Sequence, residues 1–179
     1  MKDWTRTATL TTLETPWIRL IGERWDTNGG GSVDYWRTET EDSVIVVPEM
    51  DGQLLLPLPM FRPGVSRTTL DFPGGRCPRG VAPADAAFGI IARELGVARV
   101  QIMDMQPLTA LPLLVNSSTS NQKLFGFHAK LAGLPPASSL AAHQRYATDE
   151  PGVQRLLQDL ECLQCRALLL EWLCMRTRR

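Results

Sequence analysis

The chain has 179 residues, 44% of them hydrophobic and 21% charged, which suits one domain with a packed core and excludes wholesale disorder. Nineteen basic residues balance nineteen acidic ones, for a net charge of zero, which argues against a dedicated nucleic-acid or anionic-membrane binder. The longest aliphatic runs, Val44-Ile45-Val46-Val47 and Ala167-Leu168-Leu169-Leu170, fall far short of the roughly 20 residues of a membrane helix. Met1-Lys2-Asp3-Trp4-Thr5-Arg6 lacks the apolar block of a secretion signal, so the expectation is a cytoplasmic protein whose four cysteines are reduced thiols.

No internal repeat or low-complexity tract stands out. Residues 1–14 are Thr-rich and read as a loose arm. Trp17–Ile21 reads as a strand, Asn28–Ser32 as a turn and Val33–Glu39 as the alternating partner strand of a hairpin. Ser43–Pro48 is a buried-strand run, Met50–Gln53 a turn, and Leu54–Leu56 a strand that Pro57 and Pro59 restrict to an edge or bulge. Thr68–Phe72 is a further strand, ended by Pro73-Gly74-Gly75.

From Pro83 to Leu95 the pattern turns helical, with Pro83 in the first turn and Gly96 at the C-terminal cap. Val100–Met103 and Leu124–Phe127 are strands, and residues 133–152, with Pro135-Pro136, form a connector. One long helix over Val153–Met175 closes the chain, its stripe running through Leu156, Leu160, Leu163, Ala167, Leu170 and Cys174. Strands, helix, strands, helix is an α+β order. The expected division is an arm and hairpin over 1–42, then a main domain over 43–179.

One passage carries more than fold class. Leu70-Asp71-Phe72-Pro73-Gly74-Gly75, then Gly80, Pro83, Ala86-Ala87 and Gly96-Val97, resembles the Nudix box and its lead-in strand, G-x5-E-x7-R-E-U-x-E-E-x-G-U with U a bulky aliphatic. Phe61-Arg62-Pro63-Gly64 resembles the Y-R-P-x segment of ADP-ribose pyrophosphatase-like members, Arg67–Pro73 their R-x-x-x-E-x-P strand, and Thr119–Gln122 with Phe127-His128-Ala129 their T-S-D-E…F-x-A. The likeness spans about residues 16–175. It implies a Nudix fold, an α/β/α sandwich with a mixed sheet and an N-terminal β-hairpin, and a homodimer built through that hairpin. It also implies a nucleotide or nucleotide-sugar ligand and magnesium wherever hydrolysis occurs.

In that family, glutamates one turn apart on the box helix hold a hard cation, which wants several oxygen ligands. Here Val81 replaces the first Glu, Gly89 the Arg, Ile90 the next Glu and Arg93 one Glu of the pair; only Glu94 survives. Arg93 adds a permanent positive charge beside it. Downstream, Asn121-Gln122 stand where relatives carry acids, and an amide is neither a general base nor a charged ligand. The implied reading is a Nudix-like domain that binds a nucleotide or a partner with little or no hydrolysis. The alternative is an active magnesium-dependent pyrophosphatase on ADP-ribose or a nucleotide-sugar, with acids recruited from Asp71, Asp85 or Asp104.

Each candidate has a plainer reading. Glu94, as residual catalytic or metal-binding acid, is set against an ordinary solvated carboxylate. Arg93 is a phosphate ligand or a C-terminal-turn arginine that favours the helix dipole. Arg62, Arg67, Arg76 and Arg79, with the backbone of Gly74 and Gly75, form a diphosphate cradle or a solvated loop. Asp71 is a nucleotide contact or a strand-surface acid. Cys162-x-x-Cys165 lies within a helical stripe and lacks a second ligand pair, so buried packing is preferred to zinc. His128 reads as a packed rather than a catalytic histidine; the tryptophans 17, 25 and 36 stack on a base, form a dimer surface or pack in the core or hairpin, with packing preferred; and Arg176, Arg178 and Arg179 read as a solubilising helix end.

Overall fold

The computed structural model describes residues 3–133 and 143–177; the Pro135-Pro136 part of the expected connector and Arg178-Arg179 lie outside them. The chain forms two compact units, Met1–Asp42 with Leu114–Lys123, and Ser43–Leu113 with Leu124–Arg179.

In the first unit, β1 (Thr5–Glu14), β2 (Arg19–Asp26) and β3 (Ser32–Glu39) form an antiparallel sheet in that order. The expected loose arm is thus a strand. Its threonines are β-branched and suit extended backbone, but every β1 residue is exposed, so no apolar alternation announces it. The turn falls where expected: Thr27 N–H donates to Gly31 O at 2.7 Å. Glu23 is fully buried and ion-paired to Arg6 (3.0 Å) and Arg37 (2.8 Å). The 114–123 segment is fixed to β3 by Thr38 N–H to Thr119 O (2.7 Å) and Tyr35 O–H to Ser118 O (2.6 Å).

The second unit contains β4 (Asp42–Met50), β5 (Gln53–Leu56), β6 (Met60–Arg62), β7 (Arg67–Thr69), β8 (Gly74–Cys77), α1 (Pro83–Leu95), β9 (Ile102–Pro107), β10 (Leu113–Leu114), β11 (Lys123–Leu131), β12 (Gln144–Ala147), α2 (Glu150–Asp159) and α3 (Leu163–Thr177). A seven-stranded sheet runs β10-β11-β4-β5-β12, with β8 on β4 and β9 on β11. β4 and β11 are parallel, while β4–β5, β5–β12 and β9–β11 are antiparallel. The β4–β5 turn uses two left-handed residues, Asp51 (φ 49°) and Gly52 (φ 71°), as a tight hairpin requires. β5 has partners on both sides; Pro57 ends it rather than placing it at an edge.

Alternation distributes the core. Val44 and Val46 of β4 and Phe127, Ala129 and Leu131 of β11 join Ala87, Ile90, Ile91 and Leu95 of α1 in one buried cluster. On the opposite face Gly126 meets Leu168 of α3, and His128 meets Trp172 at 6.5 Å between ring centroids. Helices therefore cover both faces of a mixed sheet, the α/β/α arrangement implied by the resemblance.

α1 starts at Pro83 and stops at Gly96 (φ 64°), at the expected ends. Three expectations need correction. Of the 68–72 run only Thr68 and Thr69 are strand, in β7 (Arg67–Thr69). Gly74-Gly75 opens β8 instead of ending a strand, because Pro73 supplies only its carbonyl, to Val46 N–H at 2.9 Å. The closing helix is two helices, broken over Leu160–Cys162. On α3 the buried residues are Cys165, Leu168, Leu169 and Trp172, while Leu163 and Leu170 of the expected stripe are exposed.

Candidate functional site

In the second unit, Arg62, Thr69, Asp71, Gly74 and Glu94 line one cleft of about 90 Å³, with Leu58, Met60 and Phe72 as apolar wall. β6 and β7 form a hairpin that sets Arg62 opposite Arg67. Arg62 Nε donates to Asp71 Oδ2 at 2.8 Å, and Thr69 Oγ1 donates to the same oxygen at 3.0 Å. The other oxygen, Oδ1, lies 3.9 Å from Cys165 Sγ.

Glu94 comes from the last turn of α1. Arg93 Nε donates to its Oε1 at 2.9 Å, and Arg93 Nη2 donates to Gly74 O at 3.2 Å. A Cβ at position 75 would come within 2.9 Å of Arg93 Nη2, so Gly75 gives the guanidinium its place against β8. The surviving carboxylate of the box therefore already has a cation on it, supplied by the neighbouring residue.

Of the sequence-derived site residues, Arg62, Asp71, Gly74 and Glu94 share the cleft, and Arg93 and Gly75 adjoin it through the contacts above. Arg67 turns to an ion pair with Glu161. Asp85 faces Arg99 at 3.7 Å, and Asp104 sits on β9 opposite Lys130; neither lines the cleft. Ile90 is part of the core cluster and Val81 is exposed. In the first unit, Asn121 Oδ1 accepts from Thr40 N–H at 3.0 Å and Gln122 Nε2 donates to Glu41 O at 3.1 Å, so both amides serve the backbone.

The cleft's charges cancel: Arg62 with Asp71, Arg93 with Glu94. Magnesium seeks several oxygen ligands, mostly charged. Glu94 is occupied by a guanidinium that cannot deprotonate, and Asp71 gives one oxygen to Arg62. These residues do not fit a magnesium ion.

Two constellations escaped the sequence reading. Cys162 is not inside a helical stripe but immediately precedes α3, with Arg166 N–H donating to its carbonyl at 3.0 Å. Hydrogen bonding from Cys165, then the Cys165 and Gln164 amides, brings the Cys162 thiol down to about 6, while that same coupling and burial push Cys165 far up. Asp71 meets both thiols; no local signal announces a contact across 94 residues. On the other face, His128 Nε2 lies 3.0 Å from Glu49 Oε2 in a hollow of about 180 Å³ that also includes Lys130, Met175 and Arg176. His128 is packed, as expected, but paired as well. A larger hollow of about 390 Å³ lies between α2 and the end of α3, where Arg176 donates to Thr148 O at 2.7 Å.

No protein-family profile matches the chain, and no curated protein matches it. Among solved structures, a crystal structure described as an ADP compounds hydrolase superposes with a TM-score of 0.78, covering 100% of this chain and 98% of that one at 18% identity. Likeness at that identity speaks to fold alone: the chain has the mixed α+β fold of that structure, with helices on both faces of a mixed sheet. Among the described residues no helix is long and apolar enough to cross a membrane.

Proposed function

We propose that this is a Nudix-fold domain that binds a nucleotide or nucleotide-sugar diphosphate, or a protein partner, with little or no magnesium-dependent hydrolysis. One observation carries the reading: the Arg93 guanidinium lies on Glu94, the one glutamate left at the box's acid positions, at 2.9 Å. Arginine suits phosphate oxygens, so an incoming diphosphate takes over Arg93 and Arg62 from their carboxylates. The cleft has room for the phosphates rather than a whole nucleotide, since ligand pockets usually run to about 300–1,000 Å³. The described fold neighbour, by its name, acts on ADP compounds; that supports ADP-ribose as the first ligand to try. Exposed Leu13 and Trp36 on the three-stranded sheet, with Trp4 and Trp17 just outside its strands, support a homodimer through that sheet, and the neutral charge supports the absence of nucleic-acid and membrane partners; a cytoplasmic location stays part of the proposal.

The test is ADP-ribose binding by calorimetry with and without magnesium, beside turnover assays of the wild type and Ile90→Glu/Arg93→Glu. Binding that ignores magnesium, negligible wild-type turnover and a gain in the double variant are expected. Wild-type hydrolysis equal to the variant's overturns the reading in favour of an active pyrophosphatase using Asp71, the one recruited acid in the cleft.

A further inference from the structure

A carboxylate oxygen of Asp71 and the sulfurs of Cys162 and Cys165 all lie within 4.8 Å of one another. Backbone, not chance side-chain placement, brings them together: Leu70 pairs with Leu160 in a parallel bridge, which sets the segment after β7 against the start of α3. We infer that these three residues form a binding site for one borderline-soft divalent cation of the zinc type, with a fourth position left open. It does not require the cleft to bind a nucleotide, but it shares Asp71 and the Arg62 that holds it with that cleft.

The donor set fits that ion. Zinc takes cysteine sulfur at about 2.3 Å and carboxylate oxygen at about 2.0–2.2 Å in a tetrahedron, so its ligand atoms sit about 3.5–3.8 Å apart. Side-chain rotations of an ångström or so bring the three donors to that spacing. Two thiolates select against magnesium and calcium, which prefer oxygen alone.

The surroundings fit as well. Arg62 and Thr69 hold Asp71 by Oδ2, which turns Oδ1 toward the thiols, the kind of outer support that orients a metal ligand. Phe72 N–H donates to Cys165 Sγ at 3.4 Å, and the first amides of α3 favour negative charge on Cys162. Two thiolates and a carboxylate give three negative charges; the cation and Arg62 cancel them.

The full chain, stripped with a chelator and kept in a phosphine reductant, is titrated with cobalt(II) and then zinc. One equivalent of cobalt is expected to give a thiolate charge-transfer band that zinc abolishes. Cys162→Ser removes the band, exposed Cys174→Ser leaves it, and Asp71→Asn weakens binding roughly tenfold or more. Zinc also raises the unfolding temperature of the wild type but not of Cys162→Ser. Circular dichroism verifies the fold of each variant; Cys162 is half-buried, so its serine variant is the decisive one. A reduced, folded protein that gives no band, a band that survives Cys162→Ser, or unchanged affinity in Asp71→Asn overturns the inference.

Discussion

Leu168 of α3 packs directly on the backbone of Gly126 in β11: a Cβ built there would lie 2.2 Å from Leu168 Cδ2 and 3.0 Å from Cδ1. The close approach seats α3 on the sheet face that also carries His128. Gly126→Ala must push Leu168, itself fully buried, off its rotamer or lift the helix. Overpacking of this kind costs about 1–3 kcal/mol. Urea unfolding is expected to show that loss, and Gly126→Ala/Leu168→Ala to lose less than the sum of the two single variants.

Gly89 gives the opposite expectation. It lies inside α1 with nothing within 4 Å of a built Cβ, at the position where the resemblance places an arginine. Glycine in a helix interior costs about 0.5–1 kcal/mol relative to alanine. Gly89→Ala is expected to stabilise the protein by about that amount, read as a higher urea midpoint at unchanged slope.

His128 makes stability depend on pH. Burial, the largest influence, holds its imidazole below the ordinary 6.5; Glu49 and Asp104 pull it up and Lys130 pushes it down, with burial winning. A histidine depressed in the fold binds its proton more readily when unfolded. Its neutral form therefore contributes stability above about pH 6.5, and that contribution is lost as pH falls from there through the folded value. Denaturation between pH 7.5 and 5 is expected to show this slope, and His128→Gln to flatten it.

Glu23 acts in a lower window. The Arg37 hydrogen bond, outweighing burial and aided by Arg6, holds its carboxyl at about 2, against an ordinary 4.5. A depressed carboxyl contributes stability above its unfolded value, lost as pH falls from about 4.5 toward 2. Tryptophan emission from the β1–β3 sheet, which carries Trp25 and Trp36, is the readout. At neutral pH Glu23→Gln, which removes a buried anion and leaves Arg37 with Glu39 alone, is expected to cost about 2 kcal/mol, and the acid slope is expected to shrink.

The sequence discloses what short-range chemistry decides. α1 is legible because its start and stop signals, Pro83 and Gly96, are local, and β4 because an aliphatic run bounded by a turn has few other uses. β1 is not, since a strand exposed along its whole length is set by pairing with β2 and by the Arg6–Glu23 ion pair, neither of which leaves an apolar pattern in the chain. Arg93 beside Glu94 is visible in the chain, and so is the loss of the other acids. The ion pair itself, the diversion of Arg67 to Glu161 and the meeting of Asp71 with two cysteines depend on segments that come together only in the fold.

The break between α2 and α3 is the clearest case of tertiary control, and it yields a test. Leu156, Leu160 and Leu163 keep helical spacing, so periodicity predicts one helix. In the structure Leu160 is extended (ψ 114°), and its carbonyl, with that of Leu157, accepts from Arg166 Nη1. Asp159, the last residue of α2, accepts from Tyr146 O–H at 2.7 Å and anchors that end to β12. Arg166 thus satisfies two carbonyls that an unbroken helix would bond to amides four residues on. Arg166→Met keeps the stem and removes the donors. It is expected to cost about 1–3 kcal/mol through the unsatisfied carbonyls, with faster amide exchange over residues 157–163 but not over α1. Because Cys162 lies in the same break, the variant is also expected to weaken cobalt binding, whereas Arg155→Met on α2 leaves it unchanged.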